Sequence, residues 1–139
     1  MALFSLRTEE DRSCIRWIHR SNQYSDHFPL KHCGVIFETR DVDYEVLCAD
    51  YTGERQGYVK LTVKSRTIDP SLPWHRHPGK EFIFVLKGAL VLHTEDKEPI
   101  TLKRGDSLLF DSSIGHHYIS AGRGETELLL SLSLQGYSN

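Results

Sequence analysis

Two hydrophobic periods divide the chain. From Thr8 to Arg20 the run TEEDRSCIRWIHR sets Cys14, Trp17 and Ile18 on one side of a helix, with Arg12, Arg16 and Arg20 recurring at every fourth position. Thr8 is placed to cap this helix, Asp11 three residues later approaches a capping box, and acidic residues fill the first turn. The arginine stripe reads as a solvated face, because three arginines supply few phosphate contacts for a nucleic-acid surface. Beyond Gly34 the period falls to two. GVIFET, DYEVLC and GYVKLTVK follow one another, with Tyr44, Val46 and Cys48 sharing one face and Val59, Leu61 and Val63 opposing Tyr58, Lys60 and Thr62.

Five further strands are expected as EFIFVL, ALVLHT, PITLK, SLLF and ETELLLSLSL, parted by turn-rich breaks at KG, EDKE, RGD and AGRG. Short strands about ten residues apart, with no helical pattern between them, predict an antiparallel sandwich or barrel and exclude βαβ units. EFIFVL is apolar on both faces, so it is expected to be covered by the barrel interior on one side and by a partner sheet or subunit on the other. The division expected is residues 1–33 as helix and connection, 34–134 as one all-β barrel and 135–139 as a tail. Residues 21–33 lack any period, and His27 and His32 are expected on their surface.

Composition narrows the function classes. With 139 residues the chain can bury a core as one domain, and 39% hydrophobic and 26% charged residues are ordinary for a soluble protein. The net charge of −2 gives no general attraction for nucleic acid. No stretch nears the roughly 18 apolar residues of a membrane span, and the N-terminus turns acidic before a signal-peptide core can form. The expected location is the cytoplasm, with no membrane partner and no direct nucleic-acid contact. Cys14, Cys33 and Cys48 are an odd set at wide spacing, which suits buried free thiols rather than disulfides or a zinc ribbon.

The eight histidines carry more information. In Pro73-Trp74-His75-Arg76-His77-Pro78-Gly79-Lys80-Glu81, extended backbone sends His75 and His77 to the same side. Pro78 and Gly79 then allow a turn that brings the Glu81 carboxylate back toward the imidazoles. Further on, a turn at Gly105, a strand and a polar turn lead to His116, which can act as a fourth ligand, while His117 points the other way. Imidazole and carboxylate without thiolate suit iron, manganese, nickel, cobalt, copper or zinc, and disfavour a purely structural zinc site. His93 stands alone in its strand and is expected to be a hydrogen-bonded barrel residue.

These residues resemble the two motifs of the cupin superfamily. His75, His77, Glu81 and Gly88 match the first motif with its spacing, Asp69 standing where its leading Gly would be. Gly105 and His116 match the second, with Asp111, Ser113 and Ser120 in place of its Pro, Gly and Asn. The resemblance covers about residues 34 to 134 and implies a jelly-roll β-barrel with a divalent metal held by His75, His77, Glu81 and His116.

Within that superfamily, the run from His75 to Ser120 looks most like the sensor domain of helix-turn-helix regulators of the XRE–cupin type. This implies binding of a small-molecule effector. The single expected helix is too little for a DNA reader, which needs two helices and a tight turn, so the chain is either a stand-alone relative or part of a longer protein. Two function classes stay open: an effector-binding module, and a small metalloenzyme such as a dioxygenase, isomerase or decarboxylase acting on a small polar or carboxylated molecule. His93, His117 and Tyr118 are nominated as pocket residues without a role. The sensor reading is preferred because no catalytic acid or base accompanies the ligands. The doubly apolar EFIFVL and the closing ELLLSLSL predict a homodimer through an exposed sheet.

Overall fold

A computed structural model describes residues 35–47 and 56–133. The expected helix at Thr8–Arg20, the connection that follows it and the tail at 135–139 lie outside the described residues.

The period-two segments form antiparallel strands, as their alternation requires. They are β1 (Val35–Glu38), β2 (Val42–Leu47), β3 (Gln56–Val63), β4 (Lys80–Lys87), β5 (Ala89–Thr94), β6 (Ile100–Lys103), β7 (Ser107–Asp111), β8 (His116–Ser120) and β9 (Thr126–Ser133). One sheet runs β1-β2-β3-β9-β4-β7 and the other β6-β5-β8. The described residues are therefore all-β, in the double-sheet arrangement expected.

Alternation decides which side chains meet between the sheets. Val59, Leu61 and Val63 of β3, Ile83 and Val85 of β4, and Leu128 and Leu130 of β9 face Leu90, Leu92 and Leu102 of the smaller sheet in one buried cluster. Each such side chain contributes on the order of 1.5–3 kcal/mol through removal from water. The register is fixed by this burial, because a slip of one residue on β3 would expose all three of its core side chains.

Two sequence expectations change. β8, HHYIS, is a strand that the hydrophobic pattern does not reveal, because its inward positions His116, Tyr118 and Ser120 are polar or amphipathic. Pairing Leu90↔Ser120, Leu92↔Tyr118 and Thr94↔His116 supplies what the pattern lacks. The segment around His75 and His77 is not a strand but joins the barrel through a single bridge, His75↔His116. On β4, Ile83 and Val85 are fully buried, whereas Phe82 on the outer face is 37% exposed, so the cover expected there does not come from the described residues.

Gly79 turns the chain from this segment into β4. Its φ is +101°, and an added Cβ would stand 2.8 Å from both Cβ and Oγ of Ser133. Gly79→Ala is expected to destabilise the protein by about 1–3 kcal/mol. Gly105→Ala provides the comparison, since Gly105 has φ +89° but open space around it. Urea denaturation of the two variants should show the larger loss at Gly79; equal losses would mean that the Ser133 contact costs nothing.

Candidate metal centre

The site is assembled by backbone pairing before any side chain contributes. His75 N–H donates to the His116 carbonyl at 3.3 Å, and His116 N–H donates back at 3.0 Å. His77 N–H donates to the Ser112 carbonyl and Ser112 N–H to the Gly79 carbonyl, at 2.9 and 3.0 Å. The histidine-rich segment is thereby laid along the approach to β8. Arg76, between the two histidines, projects away and pairs with Glu95. That carboxyl is held below its ordinary range chiefly by its hydrogen bond with Arg76.

His77, Glu81 and His116 come together, each with one ligand atom within 4.8 Å of the others. Glu81 Oε2 lies 2.8 Å from His77 Nε2 and 3.8 Å from His116 Nε2. Donors bound about 2.1 Å from one ion stand roughly 3–4 Å apart, so the trio is spaced to hold one. The tautomer of His116 agrees. Its Nδ1 is 2.8 Å from the Ile114 carbonyl, which can only accept, so Nδ1 carries the proton and the Nε2 lone pair faces Glu81. Burial holds the His116 pKa below its ordinary value, which keeps the imidazole neutral and able to ligate.

The second carboxylate oxygen is already engaged: the Tyr118 hydroxyl donates to Glu81 Oε1. Burial, and next the Glu81 charge, push the Tyr118 pKa well above its usual value. Tyr44 is pushed up in the same way, by burial first and then by Glu81. Sequence reasoning nominated Tyr118 as a pocket residue without a role and missed Tyr44, although the alternation of β2 put it on one face with Val46. The signal for Tyr118 is its place two residues beyond His116, which on a strand shares the ligand's face.

His75 lies beside the trio rather than within it. It is exposed, its ring is 6.5 Å from the His116 ring, and it packs edge-on against His117 at 5.4 Å. His117 also packs on Trp74 at 4.7 Å, a partner that the sequence did not indicate. Its pKa is lowered, first by partial burial and then by His75, His116 and His93. His93 is the cross-strand neighbour of His117 and is not among the trio.

The trio opens into a cavity of about 240 Å³ that His75, His117 and Tyr118 also line. A cluster of two imidazoles and one carboxylate at a cavity wall can hold a divalent ion while exposing it to a small molecule. Among the described residues, no helix is long and apolar enough to cross a membrane.

Comparison with known proteins agrees with this architecture. The cupin domain family model matches residues 65–132. An uncharacterized protein of Bacillus subtilis, YdbB, is 39% identical over 59 residues, covering 42% of this chain and 49% of its own. Among solved structures, hydroxypropylphosphonic acid epoxidase from S. wedmorenis superposes with a TM-score of 0.58 at 23% identity, over 66% of this chain and 50% of the epoxidase. A cupin-like protein from Thermotoga maritima gives 0.56 at 20% identity, over 70% and 72% of the two chains. The chain thus spans about half the length of YdbB and of the epoxidase, and likeness at these identities concerns the fold. The family match over residues 65–132, together with the all-β jelly-roll barrel around it, supports placing this domain in the cupin superfamily.

Proposed function

We propose that this chain is a metal-dependent cupin module that binds a small effector inside its barrel and acts as a sensor in the cytoplasm. The observation that supports it is the ligand trio facing a cavity whose remaining wall is largely apolar. His77, Glu81 and His116 would hold the ion, and His75 would complete the set by turning from His117, since its backbone already lies opposite His116. The bound ion supplies a Lewis-acidic anchor for oxygen atoms of the ligand. The chain's own residues orient it. Ile114 fixes the His116 tautomer, Tyr118 holds the Glu81 carboxylate, and Tyr44, Leu61 and Leu132 give the cavity an apolar wall.

A metalloenzyme is the second reading, favoured by the donor set itself: two histidines and one carboxylate with open positions suit non-haem iron chemistry. Solved forms of the epoxidase carry Fe(II) or Co(II), and one holds fosfomycin. Multiple turnover separates the two readings. Metal-loaded protein incubated under oxygen with the small molecule it retains on purification should return that molecule unchanged. Its consumption beyond one equivalent per chain would replace the sensor by the enzyme.

The outer face of the larger sheet supports a homodimer. Tyr58, Phe82 and Leu109 line up in one cross-strand row through Ser131 and are 40%, 37% and 60% exposed. Light scattering at micromolar concentration should give twice the 16.0 kDa chain mass, and a monomeric mass would remove this interface.

A further inference from the structure

The cavity has a chemistry of its own away from the ligand trio. At about 240 Å³ it falls below the ~300 Å³ at which drug-sized pockets begin, so its occupant is small. One wall is continuous and apolar, because neighbouring strands present paired inward residues. Tyr44 of β2 stands opposite Leu61 of β3, and Val59 of β3 opposite Leu130 of β9. Leu132 extends the same wall.

Charge at the rim disfavours an anionic body. Arg40 lines the cavity but is exposed and already paired with Asp41 at 3.0 Å and Asp69 at 3.8 Å. Both carboxylates line the cavity too, so this part of the rim carries one positive charge against two negative. At the polar end, Tyr118 occupies Glu81 Oε1 and leaves only Oε2 turned toward His77 and His116. Glu81 therefore offers a metal a single oxygen, and even with His75 joining the trio, four one-atom donors leave two positions of a six-coordinate ion free.

The geometry points to one class of occupant: a small molecule with a two-oxygen chelating head and an uncharged, apolar body. The head takes adjacent positions on the ion, and the body lies along Tyr44, Leu61 and Leu132. This inference rests on the metal site proposed above.

The test uses the full chain loaded with Zn²⁺, its metal content measured, and titrated calorimetrically with straight-chain hydroxamic acids from acetohydroxamic to hexanohydroxamic acid. The head is constant across the series, so only the body varies. Each added methylene is expected to tighten binding by about fourfold until the cavity is full. An analogue of equal length ending in a carboxylate should bind weaker by about tenfold or more, since among the described residues it meets Asp41 and Asp69 with Arg40 already paired to both. An affinity independent of chain length, or a carboxylate-ended analogue that binds more tightly, overturns the ligand class while leaving the metal site standing. Protein that takes up no Zn²⁺ defeats the metal site and this inference with it.

Discussion

Glu81→Ala is expected to lower divalent-metal affinity by on the order of a hundredfold or more, the largest effect of any single change at the site. Loss of a partner that only orients a ligand already costs about 10–100-fold, and Glu81 is the sole carboxylate of the trio. The side chain is 2% exposed and tied to both His77 and Tyr118, and among the described residues the cluster holds no other acid. Removing it also strands the buried Tyr118 hydroxyl, at a cost of about 1–3 kcal/mol. Glu81→Gln keeps the shape and a hydrogen-bond acceptor, and should lose the metal with less loss of stability. Competition with a chromogenic chelator, read alongside circular dichroism, measures both. His93→Ala should leave affinity unchanged. Full metal occupancy in a folded His77→Ala, Glu81→Ala double variant would remove the site.

The meeting of His77, Glu81 and His116 was legible in the sequence for a specific reason. The three residues sit at spacings that a turn at Gly79 and the polar turn between β7 and His116 bring together, and those turns announce themselves through Pro, Gly and Asp. The placement of His75 shows where such reasoning stops. Equal spacing puts His75 and His77 on one side only of extended backbone, and here the segment is irregular and held by a single bridge, which leaves His75 against His117. Tyr118 was visible as a pocket candidate, but its bond to Glu81 joins residues 37 apart and spans the two sheets, from β8 of the smaller to β4 of the larger, which no local pattern encodes. β8 itself was hidden for the same reason that it matters: a strand whose inward face carries His116, Tyr118 and Ser120 lacks the apolar alternation by which strands are recognised. Functional sites are where such local rules are expected to fail. The core strands, in contrast, were readable from alternation alone, and Val59, Leu61 and Val63 are buried as that pattern required.

Ile83→Ala is expected to destabilise the metal-free protein by about 2–5 kcal/mol. Ile83 is wholly buried on β4, one strand in from the edge of the larger sheet, with Leu130 of β9 on one side and Leu108 of β7 on the other. Close packing on both flanks limits how far the cavity can collapse, which places the loss in the upper part of that range. The next residue toward the site, Phe82, has the opposite environment. In a single chain its outer face meets solvent, so in protein diluted to monomer Phe82→Ala should cost within about 0.5 kcal/mol, as surface changes do. Urea titrations at two protein concentrations distinguish the cases. If Phe82→Ala costs several times more and its effect grows with concentration, the outer face is buried between subunits, as the doubly apolar β4 suggests. If Ile83→Ala costs less than about 1 kcal/mol, the core centred on β4 is not what holds the two sheets together, and the register that sets Glu81 beside His77 must be maintained elsewhere.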